Sequence, residues 1–138
     1  MFEGTNIHMI GINDDMSHIF ELNTALSNGE IVSMPADRFM GSTKGISLPF
    51  LGHEARFPMG PFSIAVSRSL PVLAVNVMKA SVNEYRIFIS PLTYDHTASR
   101  KDQTTQLAGA YVRELERILN QYPSQWYNYY EFWDNRKK

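Results

Sequence analysis

The residues best suited to chemistry lie in one short string, Met34-Pro35-Ala36-Asp37-Arg38. An arginine offers a planar fork of donors that matches an anionic headgroup, and a neighbouring aspartate can fix that fork. Lys44 and Arg56 add positive charge further along. The same pair has a plain alternative, a local ion pair that closes the loop, and residue types alone weigh the two evenly. The four histidines, His8, His18, His53 and His96, show no metal-ligand spacing, so no metal is expected. His8 falls in an expected strand and reads as a core or edge side chain. His18 falls on an expected solvent face of a helix. His53 lies in Gly52-His53-Glu54-Ala55-Arg56, which reads as a turn, and His96 lies in a polar loop with no evident partner. The chain has no phosphate loop, no GxGxxG and no GxSxG. Zero cysteines exclude a disulfide framework, a thiolate metal site and a cysteine nucleophile, and fit a reducing compartment.

Those residues need a frame. The 138 residues, 43% hydrophobic and 20% charged, suit one domain over 1–138 with a real core. Thirteen Lys+Arg against fourteen Asp+Glu give a net charge of −1, which argues against a nucleic-acid partner held by bulk electrostatics. The longest apolar stretch, Leu70 to Met78, is broken by Pro71 and Asn76 and is far short of the roughly 20 residues of a membrane span. The start, Met1-Phe2-Glu3-Gly4, does not read as a signal peptide. No repeat, linker or low-complexity tract is evident, and Arg136-Lys137-Lys138 reads as a frayed tail.

Ile7 to Ile12 predicts a short buried strand. Asn13-Asp14-Asp15 offers caps for a helix carrying Met16, Ile19, Phe20 and Leu26, stopped by Asn28-Gly29. Ile31, Val32 and Met34 predict a second strand, and 36–45 a polar loop at its end, where α/β proteins bind ligands. Ile46, Leu48 and Phe50 alternate as a third strand. Gly60-Pro61 opens a short helix with Phe62, Ala65 and Val66 inward. Val72 to Val77 is nearly all apolar, as in a strand covered on both faces. It pairs as an antiparallel hairpin with the alternating Tyr85, Ile87 and Ile89. The stripe Leu107, Ala110, Tyr111, Leu115, Ile118, Leu119, Tyr122 marks a long helix, capped by Ser99 and Asp102 and ended by Pro123. The class expected is α/β, a mixed β-sheet flanked by helices. A last helix is expected over Ser124 to Trp133. It holds six aromatics from Trp126 on, read chiefly as rings packed on the sheet and secondly as an interfacial belt for a bilayer.

Several strings together carry a family resemblance. Ile31-Val32-Ser33-Met34-Pro35-Ala36-Asp37-Arg38 precedes Leu48-Pro49-Phe50-Leu51-Gly52, then Ala55-Arg56-Phe57-Pro58-Met59-Gly60-Pro61, then Leu70-Pro71-Val72-Leu73-Ala74-Val75. Tyr122-Pro123-Ser124-Gln125-Trp126 and Phe132-Trp133 close the series. In this order they resemble the C-terminal half of the bacterial lipid A biosynthesis acyltransferases, lauroyl/myristoyl type, within the lysophospholipid acyltransferase superfamily, in a Bacteroides-type version. The resemblance implies transfer of an acyl group from an acyl carrier protein thioester, as co-substrate, to a hydroxyl of a lipid A precursor, with no cofactor. It implies Asp37 and Arg38 at the acceptor's phosphate, Gly60 at a helix start whose N–H groups suit an anion, and Pro71 and Val72 at the start of a structural strand.

The family's catalytic signature is a His with an Asp five positions on, the His acting as general base. Here the fifth residue after His8 is Asn13, after His18 Asn23, after His53 Pro58 and after His96 Lys101. The resemblance therefore implies a member without its catalytic half and without the family's N-terminal membrane helix, inactive alone, with no catalytic residue in this chain. It is expected in the cytoplasm, peripheral to the inner membrane, and as a homo-oligomer that covers the surface left by the missing half. Two competing readings remain, a non-catalytic module binding lipid or a partner chain, and a small α/β domain for an unrelated anionic metabolite.

Overall fold

A computed structural model describes residues 6–12, 17–40 and 43–133. The elements run α1 (Ser17–Ser27), β1 (Gly45–Phe50), β2 (His53–Pro58), α2 (Gly60–Ser67), β3 (Val72–Ser81), β4 (Glu84–Leu92) and α3 (Arg100–Gln121), then a 3-10 turn at Pro123–Gln125. The class is α/β, with two small antiparallel sheets and three helices, consistent with a partial mixed α/β domain.

Helix α3 organises the rest. Ser99 caps it, its Oγ accepting from Asp102 N at 3.1 Å and donating to the Asp102 carboxylate at 2.6 Å. The expected stripe is its inner face. Leu107, Val112, Leu115, Ile118 and Leu119 are buried, together with Gln103 and Thr104, whose polar atoms bond back to the main chain. The first half of α3 meets Phe62, Ala65 and Val66 of α2, with Ala74 and Leu92. The second half meets Phe50, Ala55 and Phe57. Ile46, Leu48 and Tyr111 touch both clusters and join them into one core.

β1 and β2 form a tight hairpin, Phe50 opposite His53. Its loop is Leu51-Gly52, with φ of 49° and 82°. Two positive-φ residues give the turn whose twist matches a right-handed strand pair, which is why glycine stands there. His53 therefore opens β2 rather than lying in a turn. Phe50 and Phe57 are wholly buried, edge to face at 5.3 Å. Burying each ring contributes about 1.5–3 kcal/mol before entropy is charged.

β3 and β4 pair from Val72↔Leu92 to Ser81↔Glu84. Ala74, Met78 and Leu92 face inward. The Gln125 side chain grips Lys79 from both sides, its Oε1 accepting from Lys79 N at 2.8 Å and its Nε2 donating to Lys79 O at 2.9 Å. The opposite face is bare. Leu73, Val75 and Val77 are 58%, 57% and 55% exposed, against an expectation of cover on both sides. Among the described residues no third strand joins this pair.

Other expectations fail for identifiable reasons. Neither 7–12 nor 31–34 is a strand, and Ile7, Met9 and Ile31 are exposed. An apolar run becomes a strand only when a neighbour takes its N–H and C=O groups, and no described strand pairs with either run. α1 buries Leu22 and Ala25 and leaves Phe20 outward. It ends as expected, with Gly29 at φ 78° and Glu30 N donating to Ala25 O. The proposed caps Asn13-Asp14-Asp15, the helix residue Met16, loop residues 41–42 and the basic tail lie outside the described residues. Helix does not extend over Ser124–Trp133. Tyr127 sits at φ 54°, and Trp133 Nε1 donates to Phe50 O, so the segment folds back over the β1–β2 hairpin.

Candidate functional site: an arginine held by a buried carboxylate

The loop after α1 is anchored by Ala36, buried in the core with Phe62 and Leu107. The next residue carries the site. Asp37 Oδ1 accepts from Arg38 Nε at 3.0 Å, and Oδ2 accepts from Arg38 Nη2 at 2.9 Å. Trp126, 89 residues away, donates its Nε1 to the same Oδ2 at 3.1 Å. The Asp37 side chain is only 16% exposed, while that of Arg38 is 47% exposed. The carboxylate is thus the buried half and the guanidinium the accessible half. Binding Nε and Nη2 leaves Nη1 and the second Nη2 hydrogen outside the pair, on a fork suited to an oxyanion.

The electrostatics agree. Burial raises the Asp37 pKa, but the bonds from Arg38 and Trp126, with the Arg38 charge, outweigh it and hold the carboxyl below its ordinary value. The bond to Asp37 raises the pKa of Arg38. Two phenols stand near both charges. Tyr111 of α3 packs its ring on Phe62 at 5.6 Å and Phe57 at 6.5 Å. Burial, then the Asp37 charge, push its pKa well up, and Tyr130 is pushed up by the same causes. Both phenols stay protonated at ordinary pH. Asp37, with both oxygens engaged and a lowered pKa, is a poor proton acceptor. The accessible guanidinium of Arg38 is thus the open face of the pair.

The other expected site residues are placed elsewhere. Arg56, on β2, donates Nη2 to Thr43 O at 3.1 Å and sits 5.7 Å over the Phe39 ring. It closes the far end of the loop. Gly45 lies beneath that contact, where a Cβ would meet Phe39 Cζ at 2.8 Å. Lys44 is exposed, and its carbonyl accepts from Met59 N. Gly60 starts α2 without a side-chain cap at Met59. His8 and His53 are exposed rather than in a core, His18 is half-buried, and the His96 ring lies 4.3 Å from Tyr94. No group of side chains among the described residues could hold a metal ion, and no described helix is long and apolar enough to cross a membrane.

Trp126, Tyr111 and Tyr130 were not foreseen at the site. The rings of the aromatic tail divide into packed and exposed ones. Trp126, Phe132 and Trp133 pack around Phe50, while Tyr127, Tyr129 and Tyr130 are exposed.

The chain is an α/β domain in which an accessible guanidinium is braced by a mostly buried carboxylate. Residues 3–133 match the model of the bacterial lipid A biosynthesis acyltransferase family, and the chain belongs to that family. A search of curated proteins found no match.

Proposed function

We propose that this chain supplies the acceptor-binding part of an acyl transfer to a lipid A precursor, with Arg38 gripping a phosphate and Asp37 holding Arg38 in place. The observation that carries this is the partition of the pair, a carboxylate sealed by Trp126 and a guanidinium left accessible. A simple loop clamp would not need a third donor drawn from the far end of the chain. The acyl donor in this reading is an acyl carrier protein thioester, and the acceptor presents its phosphate from a membrane surface touched peripherally by the exposed tyrosines of the tail. No His-x-x-x-x-Asp occurs in the sequence, so this chain alone has no evident general base and does not turn over.

A second reading is favoured by a separate observation. The bare face of β3–β4 suits a partner chain, and the module would then act by association.

Titration with a phosphorylated glucosamine lipid tests the first reading. Arg38→Lys weakens binding, because an ammonium lacks the bidentate fork. Arg38→Ala weakens it further, by about 1.5–3 kcal/mol for a lost charge-assisted bond. Unchanged affinity with a large fall in melting temperature shows Arg38 to be a structural clamp.

A further inference from the structure

Trp126 and Tyr130 have a second role. Beside them the surface opens into a groove of about 960 Å³ between the end of α3 and the returning tail. Leu51, Leu119, Trp126, Tyr130, Phe132 and Trp133 supply its apolar lining. Its volume lies at the upper end of the roughly 300–1,000 Å³ typical of small-ligand sites. Among the described residues Glu131 is the only charged one along it. An anion inside the groove would meet a like charge, whereas an alkyl chain would meet rings and leucines. The positive end lies next door. Trp126 lines the groove and also donates to Asp37, the residue that holds Arg38. The phenol of Tyr130, another lining residue, senses both Asp37 and Arg38. One wall is thus common to an apolar trough and to an accessible guanidinium.

We propose that this groove receives the alkyl chain of an anionic amphiphile whose phosphate is held by Arg38. The proposal rests on the phosphate reading of Arg38 and adds where the rest of the ligand lies. Two devices make the groove fit a flexible chain. The rings of Phe132 and Trp133 line the groove, meet edge to face at 5.4 Å, and are backed by the buried Phe50 ring at 5.6 and 5.7 Å. The exposed tyrosines on the rim each carry a polar tip on an apolar body, which suits the boundary between a lipid chain and water.

The chain holds two tryptophans, and both line the groove. Intrinsic emission therefore reads occupancy there and is blind to the remote face of β3–β4. The probes are monomeric butyl, hexyl and octyl phosphate, octanol, and inorganic phosphate, on the full chain and on Arg38→Gln. The expected result is a blue shift with the alkyl phosphates and none with inorganic phosphate. Affinity tightens with chain length, up to about fourfold per methylene fully buried. Arg38→Gln weakens each alkyl phosphate about tenfold, keeps the chain-length slope and leaves octanol unchanged. Affinity that falls in Arg38→Gln but ignores chain length overturns the groove and leaves the anchor standing. Affinity that follows chain length but ignores Arg38→Gln overturns the anchor and with it the joint proposal. No emission change with any alkyl phosphate also overturns it.

Discussion

Replacing Trp126 with phenylalanine tests what holds the site together. The change keeps a ring against Phe50 and Phe132, which lie 5.3 and 4.8 Å from the indole. It removes the Nε1 donor that sits 3.1 Å from Asp37 Oδ2. A bond to a mostly buried carboxylate contributes about 1.5–3 kcal/mol. For a chain of this size that corresponds to a fall of roughly 6–12 °C in melting temperature. The pH dependence separates the bond from the ring. Asp37 titrates below its ordinary value in the folded protein, so its stabilisation is present above the unfolded carboxylate pKa and is lost as pH falls through the folded one. In Trp126→Phe the folded pKa moves up. The stability gap between the two proteins is therefore widest at neutral pH and narrows in acid, where Asp37 is protonated in both. Melts from pH 7 to pH 3, with carbon-detected NMR of the Asp37 carboxyl, provide the measurement. In an Asp37→Asn background the same tryptophan change should cost about half as much, since a neutral acceptor is the weaker partner. A gap that is constant with pH, and equal in the Asn background, would refute the reasoning and assign the whole effect to lost ring packing.

Two further outcomes are expected. The purified chain self-associates through β3–β4, and Val75→Lys with Ile87→Lys converts it to monomer with little change in melting temperature, because both side chains are already more than half exposed; light scattering reads the mass, and a wild-type monomer at high micromolar concentration counts against the idea. Incubated with acyl carrier protein thioester and a lipid A precursor, the chain shows no turnover above a protein-free control, and turnover abolished by changing His8 or His53 would reverse that reading.

What the sequence made legible follows a physical line. α3, β1 and the β3–β4 hairpin were readable because their patterns are local. The Leu107 to Leu119 stripe has helical spacing, and Ile46, Leu48 and Phe50 alternate, as do Tyr85, Ile87 and Ile89; β2 was missed, because Gly52 to Arg56 reads as a turn yet His53 already pairs with Phe50. Ile7 to Ile12 and Ile31 to Met34 carry equally strand-like residues, yet pairing depends on a neighbour that no local pattern specifies. Asp37 and Arg38 were legible as a pair because they are adjacent. Their third member was not, since Trp126 reaches Asp37 only after α3 and the 3-10 turn reverse the chain. The one available signal was the density of aromatics after Pro123, which spoke of packing but not of which indole would find a carboxylate.

The misread strand β3 is the more instructive case. A run such as Val72 to Val77 is apolar on both faces, and on the inner face Ala74 and Met78 are buried as that pattern requires. On the outer face Leu73, Val75 and Val77 line up with Pro91, Ile89 and Ile87 across the ladder, a continuous apolar sheet surface with no cover among the described residues. Fully burying side chains of this kind contributes about 1.5–3 kcal/mol each. The five aliphatic ones, at 55–64% exposure, therefore represent roughly 4–9 kcal/mol of unrealised burial, comparable to the net stability of many domains. A sequence that placed those residues for the benefit of this fold alone would have alternated them with polar ones, as a sheet with one wet face does. The pattern is therefore evidence about the state in which the hairpin functions. The pattern suits a sheet with a layer on each side, and among the described residues α3 supplies the one on the inner face.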